Sequence, residues 1–337
     1  MPTYRHGSCT IIVRTTTILF FSLDYPPPET ETVQTLIMLP ISIMKGSIAL
    51  AGLLFQPDNI NGTLPGLVVV HPAGGVKEQV AGLYAERLSQ QGYVTVAYDA
   101  AHQGDSGGLP HFLEDPNSRV TDVSAVVDYL ETLDYVDPDR IAVVGICAGG
   151  GYAAAAAKGD HRLKAVAIAS AVNMGDTTRE GWLGNEVGAE KLAILQQITG
   201  PIQAESNGTE AQYTTYVPAV PNENTPYDLR EASDYYLTPR AQHPNAQNKM
   251  LLRSQPLILN FDSWNFAGQY LAQPTLIIYG DLAGSKWQSE RLYNILEGDN
   301  TAVRRRVIPG GRHMDFYDND TYVNPAIQEI SEFLRQL

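Results

Sequence analysis

Cys147 stands in a stretch of sequence whose residue types and spacing suit nucleophilic chemistry. Residues 145–149 read Gly-Ile-Cys-Ala-Gly, after an apolar run and before an alanine-rich segment. The pattern is G-x-S-x-G with cysteine in place of serine, in the strand–turn–helix context that this motif requires. We predict that Cys147 is a nucleophile at the start of a helix, where the helix dipole and a nearby imidazolium favour the thiolate. The alternative is a small buried cysteine in a tight turn, which needs no catalytic role.

His313 is the candidate general base. It lies in the stretch VIPGGRHMDFYD, on the loop after the last predicted strand. Hydrolases with this kind of turn place the catalytic histidine last in the chain order. Of the seven histidines in the sequence, His313 alone has this position. The order therefore pairs His313 with Cys147, because an adjacent base is what activates a nucleophile.

The carboxylate that would orient this histidine has more than one candidate. It is expected after the strand PTLIIYG, but the commonest spacing puts it at position 283, which is alanine. Asp281, directly after Gly280, is the nearest carboxylate, and it either orients the imidazole or caps the following loop. Asp176, after the preceding strand, is the fallback. A weak third member is tolerable here, because a thiol ionises far more readily than a hydroxyl.

Two backbone N–H groups are expected to form an oxyanion hole. One belongs to Ala148, directly after the nucleophile, and the other to the loop after the strand GLVVV. That loop reads His-Pro-Ala-Gly-Gly from residue 71, and its small residues favour Ala73 or Gly74 as the second donor. The same residues also suit a plain tight turn.

The elements that must position these residues alternate along most of the chain. Apolar runs such as GLVVV, RIAVVGI and PTLIIYG alternate with amphipathic stretches such as SRVTDVSAVVDYLETL. This alternation predicts an α/β protein with a mostly parallel, doubly wound sheet that helices cover on both faces. Ligands bind such sheets outside the carboxyl ends of the strands. The glycine-rich turns of this sequence lie at those ends.

Two segments depart from the alternation. Residues 1–40 match no part of it and are predicted to be a poorly ordered extension, which leaves residues 41–172 and 273–337 as the core. Residues 173–272 are rich in Tyr, Pro, Asn and Gln. This stretch is too long for a loop and too aromatic for a disordered segment. We predict that it forms a cap, inserted between strands 6 and 7, over the active site.

Charge and motifs exclude several classes of function. The net charge of −14 argues against a nucleic-acid or anionic-membrane partner. Neither the nucleotide-binding glycine motifs nor the common zinc spacings occur, so we predict no organic cofactor and no metal. Two cysteines make no disulfide framework, which favours a reducing, cytoplasmic location. The stretch TIIVRTTTILFFSL is too short for stable membrane insertion, whereas the acid-free residues 1–23 weakly suggest organelle targeting.

Several blocks of the sequence resemble those of a known family. HPAGGVKEQVAGLYAERL, AYDAAHQGDSGG, GICAGGGY, YYLTPRAQHPNAQNKM and GRHMDFYD are similar to blocks of the α/β-hydrolases grouped with the fungal polyketide transferases, relatives of dienelactone hydrolase. The resemblance runs from about residue 42 to the C-terminus and implies the α/β-hydrolase fold. It also implies a triad of Cys147, Asp281 and His313, since members carry G-D-x-A-x-S where this chain has GDLAGS. The implied activity is acyl transfer or hydrolysis on polyketide-like esters or thioesters.

Two functions remain open. The first is an acyl-transfer enzyme, a hydrolase or transesterase, whose substrate is a small-molecule ester, thioester or lactone, including one bound to a carrier protein or to CoA. The cap aromatics Tyr235, Tyr236 and Trp264 would then contact the substrate. The second is a protein of the same fold that binds its ligand without covalent catalysis, or that catalyses a cyclisation or isomerisation. The missing carboxylate at position 283 motivates the second.

Overall fold

Residues 36–186, 188–298 and 302–337 are described in a computed structural model of the protein, and all of them belong to one compact unit that spans residues 34–337. Their ten strands are β1 Leu36–Lys45, β2 Ile48–Pro57, β3 Leu64–Val70, β4 Val94–Tyr98, β5 Val136–Ile146, β6 Leu163–Ala169, β7 Tyr213–Thr214, β8 Met250–Leu251, β9 Thr275–Gly280 and β10 Val303–Ile308. The helices are α1 Gly82–Ser89, which a π-helical turn at Lys77–Ala81 precedes, α2 Pro116–Leu130, α3 Ala148–Gly159, α4 Met174–Glu180, α5 Gly188–Ser206, α6 Tyr227–Leu237, α7 Ser254–Asn260, α8 Ala267–Tyr270, α9 Lys286–Leu296, α10 Asp315–Asp318 and α11 Asp320–Leu334.

Eight of the strands form one sheet in the order β1-β2-β4-β3-β5-β6-β9-β10. The pairs β1–β2 and β2–β4 are antiparallel, and the other neighbours are parallel. Helix α1 packs against α11 and α2 packs against α3, and both pairs of helices also contact the sheet. The predicted mostly parallel, doubly wound sheet is therefore confirmed.

The central strands are continuous apolar runs because helices cover both of their faces. Residues 67–70 of β3 and 141–144 of β5 have no solvent exposure. Parallel strands end at the same edge of the sheet, so the loops after β3, β5, β9 and β10 meet there. These are the loops that carry the predicted oxyanion-hole residues, the nucleophile, Asp281 and the histidine.

The first strand begins earlier than the sequence predicted. β1 starts at Leu36 and pairs along its whole length with β2, so the boundary at residue 40 cuts through a strand. Residues 1–35 of the predicted extension lie outside the described residues. At the other edge of the sheet, β10 carries Arg304, Arg305 and Arg306, all exposed. Charges of this kind keep an edge strand from pairing with another chain.

The segment between β6 and β9 holds α4 to α8 and the small antiparallel sheet of β7 and β8. It stands between the sixth and seventh strands of the large sheet, at the place where the sequence predicts a cap. None of the helices in the described ranges is both long and apolar enough to cross a membrane.

Candidate active site

Cys147 occupies the sharp turn between β5 and α3. Its backbone has φ 55° and ψ −124°, a conformation that is strained for any residue with a side chain. Two glycines make room for the turn: a Cβ at Gly145 would strike the carbonyl oxygen of Gly149, and a Cβ at Gly149 would strike that of Val70. The strand and the helix therefore cross with backbone against backbone, and the side chain of Cys147 stands at the start of α3.

Three groups that can donate a hydrogen bond to a thiolate face the sulfur of Cys147. They are the backbone N–H groups of Ala148 and Ala73 and the hydroxyl of Tyr317. Burial raises the pKa of the thiol to about 11, and these donors offset the effect only in part. At pH 7 the thiol of Cys147 is therefore neutral. This shift is opposite in direction to the thiolate that the sequence predicts, because burial disfavours the charged form of the group.

Buried polar contacts of His71 hold the loop after β3 in place. The carbonyl oxygen of His71 accepts a hydrogen bond from Nη2 of Arg119 at 2.7 Å, and Nε2 of its ring accepts one from the N–H of Ala100 at 3.1 Å. Burial, with the Arg119 charge, holds the pKa of His71 well below its usual value, so the ring is neutral. Gly74 has φ 68°, and a Cβ at this position would lie 2.5 Å from the ring of Tyr216. Gly74 thus forms the turn, and the loop presents the N–H of Ala73 to the sulfur.

His313 is buried, with 1% of its surface exposed. Its Nδ1 lies 2.7 Å from Oγ of Ser285, and its Nε2 lies 3.4 Å from the hydroxyl of Tyr317. The ring of Trp182 meets it edge to face, with 4.8 Å between the ring centroids. Burial lowers the pKa of His313 to about 4, and the negative charge of Asp228 opposes this shift only in part. The imidazole is neutral at pH 7 and can accept a proton.

Tyr317 lies between Cys147 and His313, and sequence reasoning missed it. Its hydroxyl interacts with the Cys147 sulfur and lies within reach of Nε2 of His313. Burial raises its pKa well above the usual value, so the phenol keeps its proton. The ring of Tyr235 packs against it at 5.1 Å between centroids and fixes its position. The signal was the spacing: Tyr317 lies four residues after His313, one helical turn away.

Neither carboxylate predicted for the triad hydrogen-bonds the imidazole. Oδ1 of Asp281 accepts from the N–H of Gly310 at 2.7 Å, so this side chain caps the loop after β10 rather than the loop that follows Asp281. Asp176 forms ion pairs with Arg179 at 2.7 Å and Arg291 at 3.0 Å. The hydrogen-bond partner at Nδ1 is Ser285 instead. Ser285 is the final residue of GDLAGS, where the sequence directed attention to the aspartate.

A cavity of about 440 Å³ opens beside Cys147. Its walls are mostly apolar, and the segment between β6 and β9 supplies most of them. The larger apolar and aromatic side chains from that segment are Met174, Trp182, Leu183, Tyr216, Val217, Leu229 and Tyr236.

One of the three aromatic residues predicted to bind substrate lines this cavity. Tyr236 does so, whereas Tyr235 and Trp264 are buried at 2% and 3% exposure and are not among the residues that line it. Their prediction as contact residues is corrected, because aromatic composition alone does not separate a cavity wall from the packing that supports it.

The chain is similar in sequence to a known protein family. The profile of the dienelactone hydrolase family matches residues 50–208, which include the Ala73 loop and Cys147. The protein YcjY of Escherichia coli (strain K12) is 41% identical over 292 residues, covering 86% of this chain and 95% of that protein. The chain belongs to the dienelactone hydrolase family.

The chain also resembles a solved structure and a further relative along most of its length. The crystal structure of the hypothetical protein PA2218 from Pseudomonas aeruginosa superposes with a TM-score of 0.82 at 28% identity, covering 91% of this chain and 95% of that one. The acyltransferase drtE of Aspergillus calidoustus is 24% identical over 280 residues, 80% of this chain and 86% of that protein. The α/β-hydrolase fold is thereby confirmed. Members of the dienelactone hydrolase family are hydrolase-fold enzymes, and this member has an acyltransferase among its relatives.

Proposed function

We propose that this member of the dienelactone hydrolase family is an acyl-transfer enzyme with Cys147 as its covalent nucleophile. The observation that carries the proposal is the convergence of the Ala73 and Ala148 N–H groups on one sulfur. Two backbone donors at a nucleophile can stabilise the oxyanion that forms when the nucleophile attacks a carbonyl carbon. A buried structural cysteine has no need of such a pair.

The proton of the thiol would leave through Tyr317. As sulfur attacks the carbonyl carbon, the thiol proton moves to the Tyr317 oxygen while the Tyr317 proton moves to Nε2 of His313. In this tautomer Nδ1 carries the other hydrogen and donates it to Oγ of Ser285, 2.7 Å away. Collapse of the tetrahedral intermediate breaks the bond to the leaving group, which takes the proton back along the same route. Water or an alcohol then attacks the acyl-cysteine, with His313 as general base.

The substrate class follows from the nucleophile and the cavity. A thiol suits activated acyl groups such as thioesters, enol esters and lactones better than amides. The cavity of about 440 Å³ fits a medium-sized, mostly apolar acyl chain, as in a polyketide-like ester or thioester. Small-molecule, CoA-bound and carrier-bound forms of such an acyl group all present the same carbonyl to Cys147.

A panel of acyl thioesters and aryl esters tests the proposal. We expect turnover of several panel members by the wild-type protein and none above background by Cys147→Ala, with an unchanged Tm, because alanine fits a turn of small residues. Cys147→Ser is expected to lose most of the activity, since a hydroxyl needs a stronger base than an imidazole whose pKa burial lowers to about 4. Turnover that survives in Cys147→Ala would exclude the covalent mechanism and favour a non-covalent ligand-binding or isomerase role.

A further inference from the structure

A buried carboxylate of the segment between β6 and β9 faces the histidine side of the active site. Asp228, on α6, is 2% exposed. Its Oδ2 accepts from the N–H of Gly284 at 2.7 Å and from Nε1 of Trp182 at 3.0 Å. Its Oδ1 is buried and has no hydrogen-bond partner among the described residues. A carboxylate with one unsatisfied oxygen in the interior is costly, and such a position calls for a functional reason.

The two donors that hold Asp228 also flank the imidazole. Gly284 precedes Ser285, whose Oγ lies 2.7 Å from Nδ1 of His313. Trp182 packs its ring on the imidazole, with 4.8 Å between the centroids. The carboxylate is therefore fixed from two sides against the groups that contact His313, although it does not itself hydrogen-bond the ring.

Asp228 is the charged group that acts on His313. Its negative charge raises the pKa of the imidazole, against the larger effect of burial. The other groups around the ring are the Tyr317 phenol, which stays protonated, and the neutral side chains of Ser285 and Trp182. In a water-poor interior, a charge has a larger effect on its neighbours than it would have in bulk water.

We propose that Asp228 supplies the carboxylate function of the triad from outside the core, as a positioning residue that stabilises the His313 imidazolium formed during acyl transfer. The inference rests on the proposed function, because the imidazolium arises only if Cys147 gives up its proton. It also explains how the enzyme dispenses with an acid at Ala283: the chain from the β9 loop contributes the N–H of Gly284 and the Ser285 hydroxyl, and α6 contributes the charge.

The test is Asp228→Asn, with Asp281→Asn as the matched control. Asparagine keeps an oxygen for both donors and places its amide nitrogen where the unpartnered oxygen stood, so we expect an unchanged Tm. The expected loss in kcat is about 30- to 100-fold with KM within about twofold, because the charge matters after proton transfer. The acid limb of the kcat/KM profile should move to lower pH, since the imidazole loses the charge that raises its pKa. Asp281→Asn should stay within about threefold of wild type.

A double-variant cycle separates this role from a structural one. If Asp228 acts through His313, Asp228→Asn should cost nothing further in a His313→Ala background. Asp228→Ala serves in place of Asp228→Asn if the latter does not fold, with the same expected loss. A kcat within threefold of wild type in Asp228→Asn, or an equal loss in both backgrounds, would overturn the role of Asp228 and leave the Cys147 mechanism standing. A wild-type enzyme that forms no acyl-cysteine would overturn both.

Discussion

The two halves of the active site are built in different ways. On the cysteine side, the backbone places Cys147, Ala148 and Ala73: a strained turn, two glycines and a tight loop between buried strands. On the histidine side, the imidazole is surrounded by side chains from several separate segments of the chain, including Trp182 and Tyr317. The first half is a local property of short sequence stretches, and the second half exists only after the chain has folded.

This difference decides what each half tolerates. On the cysteine side, substitutions at the two glycines act by steric collision, so they disturb the fold as well as the chemistry. Side chains on the histidine side can be changed one at a time.

Gly149→Val should be the most damaging change. Even a Cβ at this position strikes the carbonyl oxygen of Val70, and valine adds two more methyl groups where α3 crosses β3. We expect a loss of stability of several kcal/mol, about 3 or more, together with loss of activity. Thermal unfolding measures this directly. Gly159→Val, at a position with nothing within 4 Å of a Cβ, is the control and should cost far less.

His313→Ala should lower kcat by about 10³-fold while the protein stays folded, because a general base contributes 10²- to 10⁴-fold. Steady-state kinetics on the best panel substrate measures the loss. A kcat within tenfold of wild type would mean that proton transfer does not use this ring, and would contradict the role of His313 as general base.

Tyr317→Phe should lower kcat by about 10- to 100-fold. The phenyl ring keeps the packing against Tyr235, but the hydroxyl between sulfur and Nε2 is gone. Tyr235→Phe also removes a hydroxyl but leaves the ring in place, so it is the control. Its kcat is expected within about threefold of wild type. Equal rates for Tyr317→Phe and wild type would show that sulfur and imidazole exchange the proton directly.

Alkylation of Cys147 by iodoacetamide should be slow at pH 7 and rise about tenfold per pH unit from pH 8 to 10. The reason is the sign of the shift: burial raises the pKa of the thiol to about 11, so the reactive thiolate increases throughout that range. A fast rate that is already constant at pH 7 would indicate a thiolate–imidazolium pair, and would restore the state expected from the motif alone.

What the sequence predicted follows the same division. The strand–turn–helix signature located Cys147, and the periodic apolar runs predicted the parallel sheet, because both signals lie within short windows. His313 followed from chain order. The partners of His313 could not be predicted in this way. Asp228 and Trp182 lie in the segment between β6 and β9, and their distance from residue 313 along the chain carries no periodic signal. Asp281 was predicted because it is a carboxylate in the expected loop, yet its side chain accepts a hydrogen bond from the N–H of Gly310.

In the proposed mechanism, Cys147 carries the acyl group. The most direct test of this step is intact-protein mass spectrometry after rapid acid quenching of the enzyme with a short-chain acyl thioester, followed by peptide mapping. The mechanism predicts a mass increase of one acyl group on the peptide that contains Cys147, in wild type or in the slower His313→Ala enzyme, and none in Cys147→Ala. Turnover of the same thioester with no acyl adduct in wild type and in His313→Ala would contradict it.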